Sequence, residues 1–165
     1  MKFKCYDVVE IQGKRYVVGE VISYQEFIVD KTIRYDLNDE NYKKELGVSK
    51  GAQSWTEYGL MPVNGKDKKW LTIVNGEKEY CTFSEPVLRS TPPERYRLHD
   101  KGVERVISVE GQSKARKGDK ADFKEYRMIQ KDKTYVFFME DWHGGLKDQA
   151  QGERIRLSDV HRRRD

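Results

Sequence analysis

Residues 54–84 read SWTEYGLMPVNGKDKKWLTIVNGEKEYCTFS and contain the clearest structural pattern in the chain. Three runs rich in β-branched and aromatic residues are separated by segments that contain Asn64-Gly65 and Asn75-Gly76. Asn-Gly pairs between such runs are strong hairpin signals, because both residues readily adopt the positive φ of tight turns. The stretch therefore predicts a three-stranded antiparallel meander. Its strands would extend from Ser54 to Met61, from Lys68 to Val74 and from Glu77 to Ser84.

The N-terminal part of the chain carries another hairpin pattern. Two valine-containing runs, from Tyr6 to Gln12 and from Arg15 to Tyr24, flank the dipeptide Gly13-Lys14. A Gly-X pair between two such runs indicates a hairpin with a type II′ turn. Gly19 lies inside the second run, where an isolated glycine is typical of a β-bulge or a close backbone approach. Further along, Asn38 to Leu46 predicts either a short helix or a long hairpin loop.

The chain after Ser90-Thr91-Pro92-Pro93 contains four more strand-like runs. Proline pairs cannot continue a central strand, so this tetrapeptide marks the best internal boundary. Trp142 to Gly152 contains Gly144-Gly145 and is predicted to be a loop. The predicted strands extend from Glu104 to Val109, Ala121 to Gln130, Thr134 to Met139 and Glu153 to Leu157.

The second half repeats a short motif of the first. Trp55-Thr56-Glu57-Tyr58-Gly59-Leu60 corresponds to Phe123-Lys124-Glu125-Tyr126-Arg127-Met128, and each copy is followed by a turn and an Asp-Lys-x-aromatic-apolar segment. Two copies are too few for a solenoid. We predict a mainly β fold in which two similar antiparallel units, small barrels or sandwich-like, pack into one compact body with little helix. The first unit would cover residues 1–90, a Pro-rich connector residues 91–95, and a more basic second unit residues 96–165.

Composition excludes several classes of protein. The 165 residues include 3 Trp, 10 Tyr and 6 Phe, which is too aromatic for a disordered chain. The longest apolar run, Tyr135 to Met139, is far shorter than the roughly 20 residues of a membrane span, and the N-terminus lacks the apolar segment of a signal peptide. Two cysteines do not make a disulfide framework. These cysteines and the short apolar runs predict a cytoplasmic protein without a transmembrane segment. No phosphate-binding glycine loop and no clustered Cys and His are present in the sequence, so we predict no cofactor and no metal ion.

Positive charge is concentrated in the second half. Residues 1–95 hold 15 basic and 15 acidic side chains, whereas residues 96–165 hold 17 basic and 13 acidic ones. In residues 112–133, basic side chains are interleaved with Phe123 and Tyr126, a pattern that can bind phosphates and stack bases. The alternative is a solvated hairpin whose charges protect an exposed sheet edge. The basic residues proposed for binding are Lys114, Arg116, Lys117, Lys120 and Arg127.

Three residues are weak candidates for catalysis. Glu57 and Glu125 occupy equivalent positions of the repeat, and each would share a strand face with an aromatic ring. If the two units met across a pseudo-twofold axis, both carboxyls would face one cleft and could act as general acid and base. His143 lies between an Asp-Trp pair and two glycines and could act as a base. Their structural alternatives are cross-strand pairing with Lys68 or Lys133 for the glutamates and a turn position for the histidine.

Aromatic side chains are the candidates for a binding surface. Buried aromatic pairs stabilise sheets by up to about 1 kcal/mol each, whereas an exposed aromatic face is an interaction surface. The residues proposed for binding are Trp55, Trp70, Phe123, Tyr135 and Trp142.

The succession Gly13-Lys14-Arg15-Tyr16-Val17-Val18-Gly19-Glu20-Val21, Trp55-Thr56-Glu57-Tyr58-Gly59-Leu60 and Lys69-Trp70-Leu71-Thr72 resembles the bacterial domain of unknown function 4178 family. Phe123-Lys124-Glu125-Tyr126, Glu140-Asp141-Trp142 and Gly152-Glu153-Arg154-Ile155 resemble the later part of that family, so the resemblance covers roughly residues 5–160. It implies a mainly β, cytoplasmic bacterial protein with no assigned catalytic residues and an accessory role, related to membrane stress.

Together these observations predict a non-enzymatic interaction module that binds another protein through an exposed aromatic and basic surface. One alternative is a small-molecule-binding or hydrolase-like enzyme that uses Glu57, Glu125 and His143. The other is nucleic-acid binding through residues 112–133.

Overall fold

The computed structural model describes residues 2–27 and 53–163. In these two ranges the chain forms ten β-strands and one 3-10 turn at Leu157–Asp159. The helix or hairpin loop predicted for Asn38 to Leu46 lies outside them. Within the same ranges, no helix has the length and hydropathy of a membrane span. The strands are β1 (Val8–Ile11), β2 (Lys14–Phe27), β3 (Ser54–Pro62), β4 (Lys69–Val74), β5 (Tyr80–Pro86), β6 (Arg97–Gly111), β7 (Lys120–Gln130), β8 (Lys133–Trp142), β9 (Lys147–Arg156) and β10 (Val160–Arg163).

Eight of the strands close into an antiparallel barrel. Their order is β2-β3-β4-β5-β9-β8-β7-β6, and β6 pairs with β2 to complete the ring. One meander, β2 to β5, and a second, β6 to β9, each supply half of the barrel. The prediction of a mainly β body built from two antiparallel units is therefore confirmed. The halves share one barrel, because β5 pairs with β9 and β2 pairs with β6.

The long strand β2 bends where the sheet leaves the barrel. The register between β2 and β3 shifts between Val18 and Glu20, so the predicted bulge at Gly19 is confirmed. Before the bulge β2 pairs with β1, and from Glu20 onward it pairs with β6. β10, near the C-terminus, pairs with β1 and extends the sheet beyond the barrel.

Two local predictions are wrong. The turn between β1 and β2 is of type I′ instead of II′, because Gln12 and Gly13 both have positive φ, 53° and 78°. The loop predicted from Trp142 to Gly152 is mostly strand, since β9 begins at Lys147. Two consecutive glycines with positive φ reverse the chain just before that strand. The first part of β9 is polar, so its sequence does not predict a strand, although it pairs with both β8 and β5.

Apolar side chains form two cores, one on each side of the barrel wall. On β4, Leu71 and Ile73 alternate with Thr72, so they face away from the interior that Thr72 lines. They belong to an outer core that the N-terminal segment, β1 and β10 cover. The inner core is smaller and consists of Ile22, Tyr24, Trp55, Val106 and Phe123. Polar side chains occupy much of the remaining interior.

Candidate functional site in the barrel interior

Strand register determines which side chains face the barrel interior. Cross-strand partners share a face of the sheet. The pairs Ile22 with Glu57, Glu57 with Thr72, and Thr72 with Thr82 thus place one residue from each strand of the first meander inside. In the second meander, Phe123 pairs with Glu140 across β7 and β8 in the same way. The repeat therefore brings both halves of the chain to one enclosed space.

A cavity of about 80 Å³, partly open to solvent, occupies this space. A water molecule takes up about 30 Å³, so this cavity holds about three waters or a small organic molecule. Short side chains on β4, β5 and β9 leave the room, and larger acidic and aromatic residues form the rest of the lining. The acidic and aromatic residues of the lining include Trp55, Glu57, Trp70, Glu125, Phe138 and Glu140.

Three glutamates, Glu57, Glu104 and Glu140, form what we call the acidic cluster. Glu104 is 0% exposed and Glu57 is 8% exposed. Burial, followed by the nearby Glu140 carboxylate, raises the pKa of both Glu57 and Glu104 well above the ordinary 4.5. Burial also raises the pKa of Glu140. Glu57 and Glu104 therefore hold protons, beside the Glu140 carboxylate, at pH values where exposed glutamates are ionised.

Several oxygens of the acidic cluster lack partners. Among the described residues, three carboxyl oxygens have no hydrogen-bond partner of acceptable geometry. They are both oxygens of Glu104 and the Oε2 atom of Glu140. The two carboxyls nevertheless influence each other's pKa, as coupled acidic pairs do. Glu57 differs, because it interacts with the Tyr24 hydroxyl. A buried polar group without a partner costs about 1–3 kcal/mol, so this arrangement calls for a physical reason.

Aromatic rings pack beside the acidic cluster. Trp55 stacks on Tyr24 with ring centroids 5.7 Å apart and meets the edge of Phe123 at 5.5 Å. Phe123 in turn stacks on Phe138 at 5.9 Å. Trp70 also lines the cavity, with the Lys68 ammonium 4.1 Å above its ring. We call the four rings that line the cavity, Trp55, Trp70, Phe123 and Phe138, the aromatic wall.

This placement corrects the prediction of an exposed aromatic surface. Trp55 and Phe123 are buried inside the barrel, at 7% and 3% exposure, because their positions alternate with outward-facing residues on β3 and β7. Trp70 and Trp142 are half-buried, and the indole of Trp142 donates a hydrogen bond to Asp148 at 2.9 Å. Tyr135 is half-buried on β8.

Two of the three catalytic candidates, Glu57 and Glu125, lie in one cavity, as the repeat suggested. The Glu125 carboxylate accepts a hydrogen bond from Arg127 at 2.8 Å. His143 does not reach the cavity: it is exposed and lies 3.1 Å from the Asp122 carboxylate. The predicted arrangement of Glu57, Glu125 and His143 in one cleft is therefore not formed.

The basic candidates are also divided. Lys114, Arg116 and Lys117 are exposed in the hairpin between β6 and β7, and Lys120 is half-buried at the start of β7. Arg127 instead shares the inner face of β7 with its partner Glu125. The basic stretch is thus split between a hairpin and the barrel interior.

Sequence reasoning missed Glu104 and Glu140. Both carry a readable signal, because each is in phase with apolar residues that face inward. Glu140 alternates with Phe138 and Val136 on β8, and Glu104 is two residues from the buried Val106 on β6. A charged residue at an inward position of an amphipathic strand indicates a buried charge.

No three His, Cys, Asp or Glu side chains of the described residues are grouped so as to hold a metal ion. The fold and site thus define a closed eight-stranded antiparallel barrel with an acidic, aromatic-lined interior cavity. The chain belongs to the domain of unknown function (DUF4178) family, whose model matches residues 6–157. Comparison with curated proteins and with solved structures gave no match.

Proposed function

We propose that the protein is a non-enzymatic binding module that holds a small molecule inside its barrel. The observation that carries this proposal is the partly open interior cavity, into which both meanders direct polar groups beside aromatic rings. An eight-stranded barrel is just wide enough to be filled by side chains or to hold one small ligand. Here short residues such as Thr72, Thr82 and Ser84 leave space that larger apolar side chains would fill.

The position of the aromatic residues favours this function over a surface that binds a protein. Trp55 and Phe123, which an exposed surface would need, face inward. A concave site lined by apolar rings and a few polar groups is the usual form of a small-molecule site. Binding of a protein partner, an accessory role in a membrane-stress system, and binding of nucleic acid by residues 112–133 stay predictions.

Filling the cavity tests the proposal. Ser84 lines the cavity, whereas Ser108 is exposed on β6. A set of small organic molecules is screened by ligand-observed NMR against the wild type, Ser84→Phe and Ser108→Phe. We expect ligands that bind the wild type and Ser108→Phe but lose binding to Ser84→Phe, with circular dichroism showing that both variants fold. Equal binding to all three proteins would place the ligand elsewhere and refute an interior site.

A further inference from the structure

We propose that the ligand is a small organic cation, whose ammonium group lies in the acidic cluster and whose hydrocarbon part lies against the aromatic wall. This inference rests on the proposed function, because it names the class of ligand for the same cavity. Its first support is Glu140, which lines the cavity, beside the completely buried Glu104. Among the described residues, the Oε2 atom of Glu140 has no hydrogen-bond partner, and the Glu104 carboxyl interacts with that of Glu140. A cation with several N–H donors would supply a donor to this part of the lining.

Charges around the cluster favour a positive ligand. The charged groups that act most strongly on the pKa values of the acidic cluster are all carboxylates: its own members, Glu20 and Asp148. The inner faces of β4 and β5 contribute uncharged Thr and Ser side chains. Strand by strand, the ionisable groups in register with the interior are Glu20, Tyr24 and Glu26 on β2, Glu57 on β3, Asp100 and Glu104 on β6, Glu125 and Arg127 on β7, Glu140 on β8, and Asp148 and Arg154 on β9. Tyr80 on β5 and Arg156 on β9 are also in register but are exposed.

The cations of this region already have partners. Arg127 binds Glu125, and Arg154 binds Glu77. Lys68 pairs with Glu20 at the turn between β3 and β4. Because these side chains are held by other carboxylates, none of them neutralises the Glu140 carboxylate. An anionic ligand would add to the repulsion, whereas a cation would reduce it.

The aromatic wall fits the other part of such a ligand. Ammonium groups are attracted to the faces of Trp and Phe rings within about 6 Å, and Lys68 already makes this contact on Trp70. At about 30 Å³ for each water molecule, the partly open cavity of about 80 Å³ has room for about three water-sized groups. That size suits an alkylamine of a few carbons. A metal ion fits less well, since no three His, Cys, Asp or Glu side chains of the described residues are grouped so as to hold one.

Binding should release a proton. In the free protein, burial and the Glu140 carboxylate raise the pKa of Glu57 and Glu104, so these two carboxyls keep their protons to higher pH than exposed glutamates do. When R–NH3⁺ enters, one carboxyl O–H bond breaks, its proton goes to the buffer, and the resulting carboxylate accepts a hydrogen bond from the ammonium group. The ligand keeps its own protons. Linkage then requires the apparent affinity to rise about tenfold per pH unit for each proton released.

The test compares n-pentylamine with its neutral counterpart n-pentanol. Isothermal titration calorimetry in two buffers of different ionisation enthalpy gives the affinity and the number of protons released. We expect n-pentylamine to bind more tightly than n-pentanol, to release about one proton, and to bind better as the pH rises. Glu140→Gln should weaken amine binding by about tenfold or more, since it removes a charged hydrogen-bond acceptor. Glu57→Gln is a second variant in case the first does not fold, and Glu79→Gln, which is exposed, is the control.

The outcomes separate this inference from the proposed function. If n-pentanol binds as tightly as the amine, with no proton release and with loss of binding in Ser84→Phe, the cavity binds small molecules but the cation inference is wrong. If neither probe binds, and the screen described above finds no interior ligand, the proposed function fails as well. If the amine binds equally to Glu140→Gln, Glu57→Gln and the wild type, the acidic cluster is not its site.

Discussion

Replacing Glu104 by glutamine tests whether the barrel interior holds a protonated carboxyl. The substitution keeps the shape of the side chain and removes its titration. In the folded protein the group is completely buried on β6, and burial together with Glu140 raises its pKa well above 4.5. In the unfolded chain the same group is exposed to water and titrates near that ordinary value.

The sign of the effect follows from these two pKa values. Because the folded state binds the proton more tightly, the contribution of Glu104 to stability is fully present below about pH 4.5 and is lost as the pH rises towards the folded pKa. One carboxyl in this condition gives a slope of about 1.4 kcal/mol per pH unit. We expect the free energy of unfolding of the wild type to fall by this amount per pH unit relative to Glu104→Gln. The variant should therefore gain stability over the wild type towards neutral pH.

The assay is urea unfolding followed by tryptophan fluorescence at a series of pH values. The glutamine amide does not titrate, so the difference in slope reports the Glu104 carboxyl together with its effect on the titration of Glu140. Glu110→Gln, at the exposed end of the same strand, is the matched control and should run parallel to the wild type. If Glu104→Gln also runs parallel to the wild type, Glu104 is ionised in the folded protein and the reasoning about the acidic cluster is wrong.

Three further predictions concern packing and cysteine chemistry. Gly152→Ala should destabilise the protein by about 1–3 kcal/mol in urea unfolding, because the added Cβ would overlap the backbone of β5. Gly19→Ala is the control and should cost less, because its Cβ would meet nothing closer than 3.9 Å. Equal costs for the two variants would contradict the close approach of β9 to β5 at Gly152. Burial raises the pKa of Cys81 to about 12, so its thiol should react slowly with iodoacetamide in the folded protein. Mass spectrometry should therefore find the label on the half-buried Cys5 first, and faster labelling of Cys81 would contradict this. Leu71→Ala should remove about 2–5 kcal/mol of unfolding free energy from the outer core, and an unchanged value would mean that this core is loosely packed.

Strands whose signals are local could be predicted from the sequence. Asn75-Gly76 lies in the turn after β4, and Gly19 marks the bulge in β2. β9 is harder to predict, because Ala150 and Gly152 on its inner face are small and its other residues, apart from Ile155, are polar. The strand is held by pairing on both sides and not by its own hydrophobicity. Closure of the barrel depends on pairs such as Tyr24 with Val106, which are distant in sequence and leave no local pattern.

The part of the candidate site that carries a local sequence signal was also predictable. The repeat placed Glu57 and Glu125 on equivalent strands, and the barrel brings both to one cavity. Glu104 and Glu140 have no counterpart in the repeated motif, so comparison of the two halves could not find them. Their inward phase on β6 and β8 is a periodicity signal, but it acquires meaning only when the strand pairing is known. The prediction of exposure is wrong for Trp55 and Phe123, because these side chains face the barrel interior and pack in the inner core.

The stability cost of the acidic cluster is itself an argument for binding. An interior filled by apolar side chains, as it is around Ile22 and Val106, would avoid the desolvation of three carboxyls, and replacing buried charges by apolar groups is often neutral or stabilising. Deviations from the most stable packing are typical of functional sites. A ligand that supplies the missing charge and hydrogen-bond donors would offset this cost and stabilise the folded state in proportion to RT ln(1 + [L]/Kd). The cation that binds best should therefore also produce the largest rise in Tm, and that rise should shrink in Glu140→Gln, in which part of the cost has already been removed.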